Sequence, residues 1–121
     1  MKKLRFKPRS TFTADLKRLA MLDKTIVSEV REAIDILLEG ELLPADFQDH
    51  SLTRKMSGYR EFHLRDTPKG KVPNETNDIL VIYRIDEAEL VLIGIRVGSH
   101  DRLFPGQNRA KTYRKNEELD D

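Results

Sequence analysis

The run Ile79-Leu80-Val81-Ile82-Tyr83 has no polar break, and a strand that is apolar on both faces must be covered on both sides. Its shortness and its β-branched and aromatic content favour a strand over a helix. Neighbouring segments supply the rest of a sheet. Tyr59 to Arg65 alternates, with Phe62 and Leu64 on one face and Tyr59, Glu61 and His63 on the other. Asp86-Glu87-Ala88-Glu89 reads as a turn, after which Leu90 to Val97 returns as a third strand. Two helical patterns lie upstream. Ser10 or Thr11 can cap the first, which carries Phe12, Leu16, Leu19 and Ala20 at helical spacing. After a short break at Asp23-Lys24, Thr25 opens the second. Its stripe is Ile26, Val27, Val30, Ala33, Ile34, Leu37 and Leu38, and Gly40 is a natural stop. Lys3 to Lys7 alternates weakly and reads as a strand ended by Pro8. The expected fold is α+β: an N-terminal strand, a helical hairpin, then an antiparallel three-stranded meander, with the helices on one face of the sheet.

A chain of 121 residues suits one domain with one hydrophobic core. The absence of cysteine removes disulfide frameworks, thiolate zinc sites and cysteine nucleophiles together. No apolar run approaches the roughly 18 residues of a membrane span. Met1-Lys2-Lys3-Leu4-Arg5-Phe6 turns polar before a signal-peptide apolar region forms, so a cytoplasmic location without membrane attachment is expected. The formal charge is only +1, but four of the 21 acidic residues lie in the last five positions, 117–121. The remaining body is moderately basic, which permits RNA or an acidic partner. Thr67 to Asn77 (TPKGKVPNETN) is rich in Pro, Gly and Asn and is expected to be a mobile loop. Residues 1–104 read as the folded domain and residues 105–121 as a polar C-terminal extension.

The three histidines are the informative residues, and none falls within the apolar helical stripes. His50 stands in the linker after the second helix, His63 near the end of the first meander strand, and His100 just past the last strand. Strict alternation along that last strand aims Val91, Ile93, Ile95 and Val97 at the helices. Leu90, Leu92, Gly94, Arg96, Gly98 and His100 then take the open face, which His63 shares. Three histidines with Asp49, Asp78 and Asp101 could in principle hold zinc. No pair has HxH or HExxH spacing, however, and no metal or other cofactor is expected. Acid–base chemistry on RNA fits these residue types better. Attack by a ribose 2′-OH on its adjacent phosphate needs a base, an acid for the leaving 5′-oxygen, and cations around the phosphorane. Imidazole serves either proton-transfer role near neutrality, and arginine offers a fork for phosphate oxygens.

Several motifs also resemble one family. Asp49-His50-Ser51-Leu52, then Gly58-Tyr59-Arg60-Glu61-Phe62-His63, is similar to the H-x-L…G-Y-R-[DE]-x-H segment of YafQ toxins. Asp78-Ile79-Leu80-Val81-Ile82-Tyr83-Arg84 resembles their D-W-I-L-I-Y-[KR] strand. Arg96-Val97-Gly98-Ser99-His100, with Leu103-Phe104, resembles their closing R-x-G-[ST]-H…L-F. The matches fall in order over most of residues 40 to 104. Arg54 and Met56 depart from the Gly and Trp often found there, and the 67–77 loop lengthens the approach to Asp78.

The resemblance implies the RelE-like ribonuclease fold and a toxin of a type II toxin–antitoxin module. Such a toxin enters the ribosomal A site beside 16S rRNA and cuts translated mRNA without a metal. It implies His50, His63, Asp78 and His100 as catalytic positions. His100 would be the general acid, His63 or Asp78 the base, and His50 an orienting or stabilising group. Arg96 would stabilise the phosphate, and Phe104 would shape the site or stack on a base. Lys55 and Arg60 are expected to bind substrate, with Arg65 and Arg102 as further RNA contacts, against the plainer reading of a solvated basic surface. The implied partner is a DinJ-like antitoxin of ribbon-helix-helix type. The alternative from another class is a non-enzymatic ParE-like toxin that binds DNA gyrase.

Overall fold

A computed structural model describes residues 3–105; the C-terminal extension expected from the sequence lies, from residue 106 onward, outside them. Strand β1 (Arg5–Pro8) leads into helix α1 (Ser10–Leu22) and helix α2 (Thr25–Leu38). A two-residue strand β2 (His50–Ser51) follows, then β3 (Arg60–Arg65), β4 (Ile79–Asp86), β5 (Val91–Gly98) and a single-turn helix α3 (His100–Leu103). The five strands form one sheet in the order β1-β5-β4-β3-β2. Strands β3, β4 and β5 are the expected antiparallel meander, while β1 joins β5 in parallel. The fold is thus α+β with a mixed sheet. His50, expected in a linker, lies in the edge strand β2 opposite Glu61.

The apolar stripes of both helices meet one face of the sheet. Phe12 and Leu19 of α1, and Ile26, Val30, Ala33, Ile34 and Leu37 of α2, pack with Phe62, Ile79, Val81, Tyr83, Leu92 and Val97. Leu80 and Ile82, on the other face of β4, are also buried, so the central strand is covered on both sides as its unbroken run requires. Leu90 adopts a positive φ of 55° and closes the β4–β5 turn, so β5 begins one residue later than expected.

Strict alternation along β5 is overturned. Leu92 lies in the helix-facing core, and a Cβ built on Gly94 would come within 2.8 Å of the Phe12 ring. Both residues therefore face the helices rather than the open side. A bulge causes the difference: Tyr83 pairs with Gly94 but Ile82 pairs with Arg96, which leaves Ile95 as an extra residue. One extra residue reverses the parity beyond it, and Val97 returns to the core.

Past Gly94 the outer edge of β5 has no strand partner among the described residues, because β1 ends at Pro8 opposite Gly94. The edge is completed by α1. Arg9 N–H donates to the Gly94 carbonyl (2.9 Å), Thr11 Oγ1 to the Ile95 carbonyl (2.7 Å), and Val97 N–H to Asp15 Oδ2 (2.9 Å). Asp15 is buried and answers the need of a buried amide for an acceptor.

Candidate active site

Three imidazoles gather on the sheet face turned away from the helices. His63 of β3 stands in register with Leu80, and Glu61, two residues earlier on the same face, pairs with His50 across to β2. His100 opens α3, directly after β5 ends, and its turn is capped by Ser99 Oγ accepting from Arg102 N–H (3.2 Å). The ring centroids of His50 and His63 lie 6.3 Å apart, and those of His63 and His100 5.7 Å apart. Sequence reasoning placed His63 and His100 on this face, and the structure brings His50 to them as well.

Each ring is held by the same nitrogen. His50 Nδ1 meets the Gln48 carbonyl at 2.6 Å, His63 Nδ1 meets Asp66 Oδ1 at 2.7 Å, and His100 Nδ1 meets Asp78 Oδ1 at 2.7 Å. All three partners are acceptors, so each Nδ1 carries the proton and each Nε2 is the reactive nitrogen. His50 Nε2 and His63 Nε2 converge on one carboxylate, with Glu61 Oε2 at 3.4 Å and 3.8 Å.

The Asp78–His100 pair is the most strongly polarised part of the site. Asp78 is buried just before β4, and its Oδ2 also accepts the His100 backbone N–H at 2.9 Å. Burial pushes the Asp78 carboxyl up, but the two hydrogen bonds from His100 and the nearby charges of His100 and His63 hold it below the usual carboxylate value. The hydrogen bond to Asp78 raises the His100 imidazole above its ordinary value, against the opposing effect of burial, with Glu61 and Asp66 adding to the rise. An ionised carboxylate therefore faces an imidazole that keeps its proton to higher pH.

Two carboxylates in this cluster, Glu61 and Asp66, are absent from the site expected from the sequence. Glu61 had a readable signal, since alternation puts it on the face of His63. Asp66 lies past the strand end, where alternation gives no direction.

The residues expected to bind substrate are placed differently. Arg96 starts in register with Ile82, which is itself paired with Glu61, yet its guanidinium turns to the sheet edge. There Nε donates to Asp15 Oδ2 at 2.6 Å and Nη2 to Asp15 Oδ1 at 3.2 Å. Arg60 points to the helix side, donating from Nε to Asp49 Oδ1 (3.3 Å) and the Tyr83 hydroxyl (3.2 Å), and from Nη1 to Ser51 Oγ (2.8 Å). Lys55 is exposed on a 3-10 turn, Arg54–Met56. Phe104 closes α3, its N–H donating to the His100 carbonyl at 2.7 Å, which ties its backbone to the site. Among the described residues, no group of three or more His, Cys, Asp or Glu is arranged to hold a metal ion.

Comparison with known proteins decides the family. Residues 4–105 match the family described as the bacterial toxin of type II toxin–antitoxin systems, YafQ. The chain belongs to the YafQ toxin family. A copper-bound mutant toxin from Helicobacter pylori is similar at 30% identity and a TM-score of 0.67, over 84% of this chain and 99% of that one. YafQ from E. coli strain BL21(DE3) is similar at 25% identity and a TM-score of 0.65, with the same coverage. The E. coli YafQ of a DinJ–YafQ complex is similar at 25% identity and a TM-score of 0.64, again over 84% and 99% of the two chains. No curated protein matches. This YafQ-family toxin keeps the family's α+β architecture, and no helix among its described residues is long and apolar enough to cross a membrane.

Proposed function

We propose that this YafQ-family toxin is a ribosome-dependent endoribonuclease, cutting translated mRNA by acid–base catalysis at His63 and His100. The reading rests on the convergence of three imidazoles whose Nδ1 atoms are all held by acceptors, leaving three Nε2 atoms on one face. His63 Nε2, beside the Glu61 carboxylate, accepts the proton of the 2′-OH. The 2′-oxygen then bonds to phosphorus, the bond from phosphorus to the 5′-oxygen breaks, and His100 Nε2–H supplies the proton to that leaving oxygen. The products are a 2′,3′-cyclic phosphate and a 5′-hydroxyl. Asp78 keeps His100 oriented and protonated, so it acts as a positioning group rather than the base. His50 and Glu61 orient His63 and balance charge around the phosphorane.

In this scheme Arg96 serves the fold through Asp15, and Phe104 walls the site beside His100. Lys55 is the candidate for RNA backbone contact outside the site. The folded domain spans residues 1–104 and works in the cytoplasm, held inactive by a DinJ-like antitoxin, the partner with which an E. coli relative has been crystallised.

Single-turnover cleavage across pH tests the assignment. His100→Ala is expected to lose about 10²–10⁴-fold in rate and to abolish the alkaline limb of the profile. His63→Ala should lose a similar factor in rate. Full activity in both variants would remove the site.

A further inference from the structure

Asp78 is delivered to His100 by the end of the long 67–77 loop, and that end is gripped by one side chain. Arg65, the last residue of β3, is reached through a register shift between His63 and Arg65. Its Nε donates to Glu29 Oε1 (2.9 Å), and its Nη2 to Glu29 Oε2 and to Thr25 Oγ1 (3.0 Å). Nη1 donates to Asp23 Oδ2 (3.0 Å) and to the Thr76 carbonyl (2.8 Å). All five guanidinium donors are thereby placed, so Arg65 does not serve as the RNA contact expected from the sequence. Glu75, one residue before the gripped carbonyl, is ion-paired with Arg18 of α1 and lies 3.7 Å from Arg102 of α3. Asp78 follows two residues after Thr76.

We propose that Arg65 is a positioning residue for the active site. By holding the Thr76 carbonyl against the start of α2, it fixes the loop end so that Asp78 meets both the ring and the backbone amide of His100. The loop between β3 and β4 is otherwise long enough to let Asp78 drift, because a connection of this length carries little geometric information of its own. Only a planar fork serves Glu29, Asp23 and Thr76 together, so lysine cannot replace it. The catalytic consequence rests on the ribonuclease reading above; the geometric content does not.

NMR titration of the three imidazoles separates the two. In Arg65→Gln and in Glu29→Ala, each first shown to be folded by its backbone spectrum, His100 should titrate nearer the ordinary imidazole value. Arg65→Lys should recover only part of the shift, and Asp78→Asn should lose most of it, leaving what Glu61 and Asp66 contribute. In cleavage assays Arg65→Gln should lower kcat by about 10- to 100-fold with little change in KM, the cost of a misplaced catalytic group. His100 titrating as in the wild type in either folded variant would overturn the proposal, whether or not the protein cuts RNA. If Arg65→Gln does not fold, Glu29→Ala decides. A moved His100 in a protein that cleaves no RNA would leave the positioning intact and sink the ribonuclease reading.

Discussion

At the scale of single residues, the Asp78–His100 pair links the fold to pH. His100 is raised above its ordinary 6.5, so its contribution to stability is full below 6.5 and is lost as pH rises through the raised folded value. Asp78 is depressed below its ordinary 3.8, so its contribution is present above 3.8 and is lost as pH falls through the depressed folded value. The two windows overlap between 3.8 and 6.5. Wild type should therefore exceed Asp78→Asn in thermal stability most within that window, with the gap closing on either side. A gap that does not vary with pH would mean that the pair is not ionised. Much of this site was legible one residue at a time. His63 and Glu61 follow from alternation in β3, and His100 from its place after β5. Asp66 and the common use of Nδ1 were not legible, because they depend on where loop atoms fall around each ring.

At the scale of elements, the instructive case is the outer edge of β5. Alternation put Leu92 and Gly94 on the histidine face, and the local pattern of Val91 to Gly98 contains no mark of the bulge that reverses the parity after Gly94. The bulge shows only in the pairing with β4, a non-local fact that a single strand does not encode. Gly94 offered a partial signal, since its missing Cβ admits the Phe12 ring. Asp15 in α1 was equally unreadable, because a lone acid on a helix looks like solvated surface until the edge it caps is known. Asp15→Ala leaves the buried Val97 amide without its acceptor and should cost about 1–3 kcal/mol in urea unfolding. The Arg96 ion pair adds little, because that side chain is 36% exposed. Asp15→Asn keeps an acceptor and should recover most of the loss. Equal stability of Asp15→Ala and wild type would show that the edge needs no side-chain completion.

At the scale of the whole molecule, the layer arrangement was written in the order of apolar patterns: two helical stripes, then three strands, hence helices on one face. The parallel seat of β1 beside β5 was not, since a weakly alternating strand of four residues can pair at either edge. That closure places the meander's open face, with its histidines, opposite both helices. The same arrangement leaves the His50 and His100 side chains partly exposed while the helices carry the core. The direct test is to map mRNA ends by primer extension in a reconstituted translation system, with and without ribosomes, comparing wild type with His100→Ala. Ribosome-dependent endoribonuclease action requires discrete new 5′ ends within translated codons for wild type, none for His100→Ala, and far fewer on naked RNA. Intact mRNA under wild-type toxin, or equal cutting of naked RNA, would contradict it.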